Sequence, residues 1–255
     1  GGSIGIGFAV PSNAVARVVA QLRQFGETRR GWIGVRIQTV TDELAMGLGL
    51  DRAYGALVSE VTQGGPAQAG GLQVGDLIVR FDGKDVSDMR SLPKLVAETE
   101  VGRTVDVELV RKGQRQTIQL TVGRLEENEA VAASTSDQPT PAPEPTGVTP
   151  TAVDTLGLML SPLTPELRAK YDVLEGINGV VVTSIKGDSP AGSAQSEGRI
   201  REGDVIVEVQ QEAVSSIEDV VQRVKNVVDA KGKVVLLLLN RRGELSFAAI
   251  RLDES

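Results

Sequence analysis

Two stretches of this chain carry the same order of hydrophobic patterns. In the first, apolar and β-branched residues alternate or run together over Ile33–Thr39, Ala56–Val61, Leu77–Phe81, Thr104–Arg111 and Gln114–Val122, which predicts five strands. The last two flank Lys112-Gly113, a two-residue turn signal, and so form a hairpin. Between the third and fourth, Met89, Leu92, Leu95 and Val96 recur at helical spacing within Ser87–Thr99. In the second stretch, Ile217, Val220, Val221, Val224 and Val228 mark an equivalent helix over Ser216–Val228.

The two stretches also match residue by residue. Gly75-Asp76-Leu77-Ile78-Val79 repeats as Gly203-Asp204-Val205-Ile206-Val207. Ala56-Leu57-Val58 followed by Pro66-Ala67 repeats as Val180-Val181-Val182 followed by Pro190-Ala191. Val105, Val107 and Leu109 before Arg111-Lys112-Gly113 repeat as Val235, Leu237 and Leu239 before Arg241-Arg242-Gly243. Ile33-Gly34-Val35 repeats as Leu156-Gly157-Leu158, and Thr41 with Leu44 repeats as Thr164 with Leu167. Five blocks in one order define a duplicated domain. Short strands with one main helix in ~95 residues predict an α+β fold, a small, partly open β-barrel capped by helices, present twice as independent folding units.

What lies outside the repeats divides in two. In residues 1–30, Ile4–Val10 reads as a strand and Pro11-Ser12-Asn13 opens a helix with Ser12 or Asn13 as its N-cap. That helix has an apolar face of Val15, Val18, Val19 and Leu22 and is stopped by Gly26. A strand and a helix do not make a domain, so this segment reads as the tail of another one. Residues 126–153 hold Pro139, Pro141, Pro143, Pro145 and Pro150 and almost nothing apolar larger than Val. Such a segment buries too little surface to offset its ordering entropy, which predicts a disordered linker. The domains are then 31–125 and 154–255.

Composition narrows the chemistry. The net charge is −7 and it is uneven. Residues 1–125 carry 15 basic and 13 acidic side chains, residues 126–153 five acidic and no basic, and residues 154–255 12 basic and 16 acidic. With only seven aromatic residues, this balance argues against a nucleic-acid partner. There is no cysteine and no histidine, which excludes disulfides, thiolate chemistry, Ser-His-Asp catalysis and His-ligated metals within these residues. No cofactor or metal is expected. Gly5-Ile6-Gly7 and Gly47-Leu48-Gly49 do not complete a nucleotide-binding glycine pattern. Asp76 and Asp204 read as turn residues opening a strand.

The candidate for binding is Gly31-Trp32-Ile33-Gly34-Val35. A glycine among apolar residues at a strand entry can turn consecutive backbone N–H groups outward, making a nest for a carboxylate. Arg29 and Arg30 stand just before it. In the second copy the matching stretch is Val153-Asp154-Thr155, which brings a negative charge and predicts weaker carboxylate binding there.

Taken together, RGWIGV, GPAQAGGLQVGDLIVRFDG and the helix around Leu92 resemble a PDZ domain of the HtrA (Deg) protease family. LGLMLSPL, GDSPAG and GDVIVEV resemble that family's second PDZ domain, and SIGIGFAVPSNAVARVVAQL resembles the end of its chymotrypsin-like protease domain. The resemblance covers nearly everything except the linker. It implies that the catalytic His, Asp and Ser of the parent endopeptidase precede residue 1, so that this chain is inactive by itself. It implies a peptide-binding, substrate-recognition region acting in periplasmic protein quality control and stress response. The peptide site would comprise Arg30, Gly31, Trp32, Ile33, Gly34, Val35, Leu92 and Val96, with Leu156, Gly157, Leu158, Val220 and Val224 in the second copy. The implied partners are unfolded or C-terminal peptide segments and other subunits of a homo-oligomer, a trimer or larger. Two further roles stay open at this point: a structural pair assembling a protease cage, and an adaptor of another protease class.

Overall fold

A computed structural model describes residues 12–124 and 150–252 of the protein. The strand expected at Ile4–Val10, and the linker as far as residue 149, lie outside the described residues.

The first domain is a sheet in the order β2 (Val35–Thr39), β3 (Ala56–Val61), β4 (Leu77–Phe81), β6 (Thr104–Arg111) and β7 (Gln114–Thr121), all antiparallel. A short β5 (Lys84–Asp85) pairs with β4. β1 (Gly31–Trp32) leaves this sheet and pairs with β8 (Gly123–Arg124). The sheet is open, in keeping with the partly open form expected, without closing into a barrel, and among the described residues β2 is left with one unpaired edge. Its apolar face collects Ile33, Val58, Ile78, Phe81, Leu92, Val107 and Leu120 into a buried core, covered by α4 (Ser91–Glu98). Met89 falls outside this helix. The Asp88 carboxylate accepts the N–H groups of Arg90 (2.7 Å) and Ser91 (3.1 Å), so a turn occupies the position where helical spacing predicted a first helical turn.

The second domain repeats the arrangement as β10 (Leu158–Pro162), β11 (Val180–Ile185), β12 (Val205–Val209), β14 (Val234–Arg241) and β15 (Glu244–Arg251), with β13 (Glu212–Ala213) beside β12. Its covering helix, α7 (Ile217–Asp229), starts with a reciprocal capping box between Ser216 and Asp219. One strand has no counterpart in the first domain: β9 (Thr151–Val153) pairs with β10. The linker expected over 126–153 therefore reaches three residues too far, because Thr151–Val153 have sheet partners.

The repeated Thr–Leu spacing has a structural meaning. Thr41 and Thr164 each cap a short helix, α2 (Asp42–Gly47) and α5 (Pro165–Tyr171), by accepting the N–H of Leu44 and Leu167. Two more short helices, α3 (Pro66–Ala69) and α6 (Pro190–Ser196), start at the repeated prolines.

The domains do not behave as separate beads. Val40, Leu44, Leu57, Leu77 and Val110 of the first share a buried cluster with Val234, Leu236, Leu238, Phe247 and Ala249 of the second. Polar groups frame it. The Gln38 amide donates to the Phe247 carbonyl (2.9 Å) and accepts the Phe247 N–H (2.8 Å). Arg36 pairs with Glu244 and Arg251 with Glu43, each at 2.7 Å. The outer face of each sheet is apolar at alternate positions, which gives each domain a second face to bury. The sequence reading of two independent folding units did not foresee this shared cluster.

Before the first domain stands α1 (Ser12–Phe25). It ends where expected, at Gly26, whose φ of +75° breaks the helix. Its apolar face, Val15, Val18, Val19 and Leu22, is exposed along the described chain.

Candidate peptide-binding groove

The approach of Gly31 to α4 creates the site. A side chain at Gly31 would fall on the Val96 carbonyl, so only glycine lets the chain pass so close to the end of that helix. The loop that follows is then held against α4. Gly34 adopts φ +75°, and the ring of Trp32 lies where its Cβ would be, 2.9 Å from that point.

Hydrogen bonds orient the loop. The Ala67 N–H donates to the Ile33 carbonyl (2.8 Å), and the Thr62 N–H donates to the Gly34 carbonyl (2.9 Å). In a trans peptide the carbonyl and the following N–H point in opposite directions. With both carbonyls drawn into the domain, the N–H groups of Gly34 and Val35 point outward. These are successive donors at the entry of β2, whose outer edge is unpaired among the described residues.

Between that edge and α4 lies a groove of about 260 Å³. Arg30, Gly31, Trp32, Ile33, Gly34, Val35, Leu92 and Val96, the eight residues singled out in the first copy, all line it, joined by Ile37, Pro93 and Ala97. Ile33, Leu92 and Val96 are buried and form its floor. Arg30 is exposed at its mouth. Arg29 is placed elsewhere: it pairs with Glu27 at 3.4 Å and stacks on the Phe25 ring, 4.0 Å from its centre. Of the two arginines, only Arg30 lines the groove.

The second domain holds the equivalent residues in the same frame. The Leu156 and Gly157 carbonyls are drawn inward by the N–H groups of Ala191 (3.0 Å) and Lys186 (2.9 Å), as in the first copy. Gly157 has φ +70°, and a Cβ there would fall on the Ser189 side chain. Leu156, Leu158, Val220 and Val224 are all buried in one cluster. β9 lies on the edge of β10. A concavity nearby, about 870 Å³, is lined by the charged Asp154, Lys186, Asp188, Lys231 and Lys233 together with Pro190, Val228 and Leu252 among others, and none of the five singled-out residues borders it.

Two features of the framework escaped the sequence reading. Asp76 is fully buried and receives Arg111 through two bonds of 2.7 and 2.6 Å, plus the Gln73 N–H at 2.8 Å. Asp204, Arg241 and the Arg201 N–H repeat this at 2.7 Å for each bond. The signal was present, because the Gly-Asp and Arg-Lys-Gly or Arg-Arg-Gly blocks recur together. The other is β9, hidden in a segment of linker-like composition. Among the described residues no group of three His, Cys, Asp or Glu side chains is placed to hold a metal, and no helix is long and apolar enough to cross a membrane.

Residues 31–122 match a family model described as PDZ domain, and residues 150–239 match a second PDZ-domain model. The chain belongs to the PDZ-domain family and carries two copies of its domain in tandem. It is homologous over its whole length to DegP-like proteins. It is 34% identical over 254 residues to a probable periplasmic serine endoprotease DegP-like of Chlamydia muridarum, covering 100% of this chain and 46% of that protein. It is 36% identical over 255 residues to the protein so named in Ectopseudomonas mendocina, covering 100% of this chain and 50% of that one. The chain spans about half the length of the curated relatives it matches. Solved structures similar to it include the HtrA-type protease AlgW with decapeptide (39% identity, 49% of this chain, 38% of that chain, TM-score 0.43). Another is the serine endoprotease from Yersinia pestis (31% identity, 48% and 39%, TM-score 0.37).

Proposed function

We propose that this chain is the substrate-recognition and regulatory region of a periplasmic DegP-like serine endopeptidase, and that its first domain captures the C-terminal ends of extended or misfolded polypeptides. The observation that carries this reading is the pairing of an open strand edge with two outward N–H groups at one end of an apolar groove. An extended peptide adds antiparallel to β2, exchanging main-chain hydrogen bonds that do not depend on its sequence. Its carboxylate meets the Gly34 and Val35 N–H groups, helped by Arg30. Its last side chain enters the space over Ile33, Leu92 and Val96. Sequence-tolerant affinity with an apolar terminal anchor suits the recognition of damaged chains, since a misfolded protein exposes such segments.

The site residues, the assembly into a homo-oligomer of three or more subunits and the periplasmic location are parts of the same proposal. The relatives' names support the last. The test is a titration of the full chain with one apolar-ended peptide, prepared as free acid and as C-terminal amide. The acid should bind more tightly, and the difference should shrink at high salt. Equal affinity of acid and amide at low salt would remove the carboxylate role.

A further inference from the structure

The two domains use one stretch of chain in different ways. In the first, Thr28–Arg30 belong to no strand, β1 turns away to β8, and the edge of β2 stays open. In the second, the matching residues are β9, and they lie antiparallel along β10. Val153 stands opposite Leu158, Ala152 opposite Met159 and Thr151 opposite Leu160. A peptide added antiparallel to this edge would run the same way, with its C-terminal end at the glycine loop.

Val153 reproduces two parts of a bound terminal residue, an acceptor at the glycine loop and a buried apolar side chain. Its carbonyl accepts the N–H groups of Leu156 (3.1 Å) and Gly157 (2.9 Å), and Gly157 is the counterpart of Gly34. Its side chain is 5% exposed and buried in the cluster that holds Leu156, Val220 and Val224. Its strand satisfies the backbone edge that a ligand would use.

The geometry points to β9 as an internal ligand of the second domain. Thr151–Val153 occupy the peptide site formed by β10, α7 and the Leu156–Leu158 loop, and they keep it closed to other chains until β9 lifts away. This inference rests on the reading of the first domain as a peptide site. β9 is only three residues long, and Thr151 and Ala152 are exposed, so its detachment is a local opening and not an unfolding of the domain. An external peptide binds only the opened fraction, and its apparent affinity falls by that fraction. The opened site takes an extended segment that ends in a small β-branched apolar residue, because a valine is what it already holds.

The test uses the full chain labelled with ¹⁵N and, as probe, a peptide acid ending in Thr-Ala-Val. The amides of Leu158–Ser161 report on the second site and those of Val35–Thr39 on the first. In the unaltered chain the β10 amides should stay still over the range in which the β2 amides titrate. Val153→Ser removes the apolar anchor and should let β10 titrate with an affinity at least about ten-fold tighter than in the unaltered chain. A second variant, Thr151→Gly with Ala152→Gly, touches exposed positions only. It should shift affinity the same way by roughly five-fold, since each glycine weakens a strand by ~0.5–1 kcal/mol. Because the protein has no cysteine, Ala152→Cys with Met159→Cys can pin β9 as a disulfide. With the pair placed in the Val153→Ser chain, oxidation should abolish the β10 response and reduction should restore it. Equal titration of β10 in the unaltered and opened chains overturns the inference, as does a silent β10 in a folded Gly-Gly variant. Silent β2 amides throughout would instead strike the reading of the first domain, and β10 would still be read separately.

Discussion

Arg111 reaches across from β6 to grip Asp76 at the start of β4 with two parallel hydrogen bonds, 2.7 and 2.6 Å long. The carboxylate is wholly buried, while the guanidinium is partly exposed. A charge in that position is tolerable only while it is paired and hydrogen-bonded. Arg111→Met should therefore cost about 3 kcal/mol, the lower end of what breaking a buried pair removes, and Asp76→Asn in the same chain should recover part of it. Urea unfolding would show this as a lowered midpoint. A midpoint unchanged by Arg111→Met would mean that the pair contributes nothing net.

The shared cluster between the domains makes a different demand. Phe247 is buried against residues of the first domain, and its backbone holds both ends of the Gln38 amide. Phe247→Ala should cost about 3–5 kcal/mol. Calorimetry of the unaltered chain should give one unfolding transition, and the variant should separate it into two. Two transitions in the unaltered chain would show that the domains fold independently, as the sequence alone implied.

Gly34 sits in a left-handed conformation beneath the Trp32 ring. An alanine there meets both the unfavourable φ and the ring. Gly34→Ala should lower stability by about 1–2 kcal/mol and weaken peptide binding at least several-fold, because the two outward N–H groups turn with the loop. Peptide titration that is unaffected in a folded variant would detach the loop from binding.

The capping box of α7 links stability to pH. N–H groups of Ser215 and Ser216, together with the hydroxyls of Ser215 and Ser216, hold the Asp219 carboxyl below its usual range, the Ser215 N–H most strongly. A carboxyl with a lowered folded pKa stabilises the protein above its unfolded value of about 3.9, and that contribution is lost as pH falls through the folded value. Ser216→Ala should cost ~1 kcal/mol at neutral pH. Asp219→Asn should flatten part of the loss of thermal stability as pH falls below about 4. An acid limb identical in the variant would place the dependence on other carboxyls.

Much of this was legible in the sequence, for reasons that show where reading by pattern works. Ala56–Val61, Leu77–Phe81 and Thr104–Arg111 coincide with β3, β4 and β6, because long apolar runs bounded by Gly, Asp or Lys-Gly leave little freedom. The duplication doubled every such signal. All eight candidate residues of the first groove came together, since glycines at a strand entry constrain the backbone whatever surrounds them. Sequence pattern failed where neighbouring elements, and not the local residues, decide the outcome. Thr151–Val153 carry nothing that distinguishes a strand from a linker, and only the edge of β10 makes them one. Leu236 and Leu238 alternate with the repeated Val235, Leu237 and Leu239, and nothing in that pattern says that they are buried against the other domain. The weaker peptide binding expected of the second domain rested on Asp154. Asp154 lines the concavity beside Lys186 and Lys231, whereas its neighbour Val153 is buried with Leu156, Val220 and Val224.

The claim at the centre is that the Gly34 and Val35 N–H groups receive a peptide carboxylate. The direct measurement is the ¹⁵N–¹H spectrum of the chain titrated with an apolar-ended peptide as acid and as amide. The acid should move the Gly34 and Val35 amides downfield, as new hydrogen bonds to an anion do, with the rest of β2 following. The amide should move β2 less and leave these two nearly in place. Binding of the acid with Gly34 and Val35 unmoved, or with shifts gathered at Asp154, Lys186 and Lys231 instead, would contradict it.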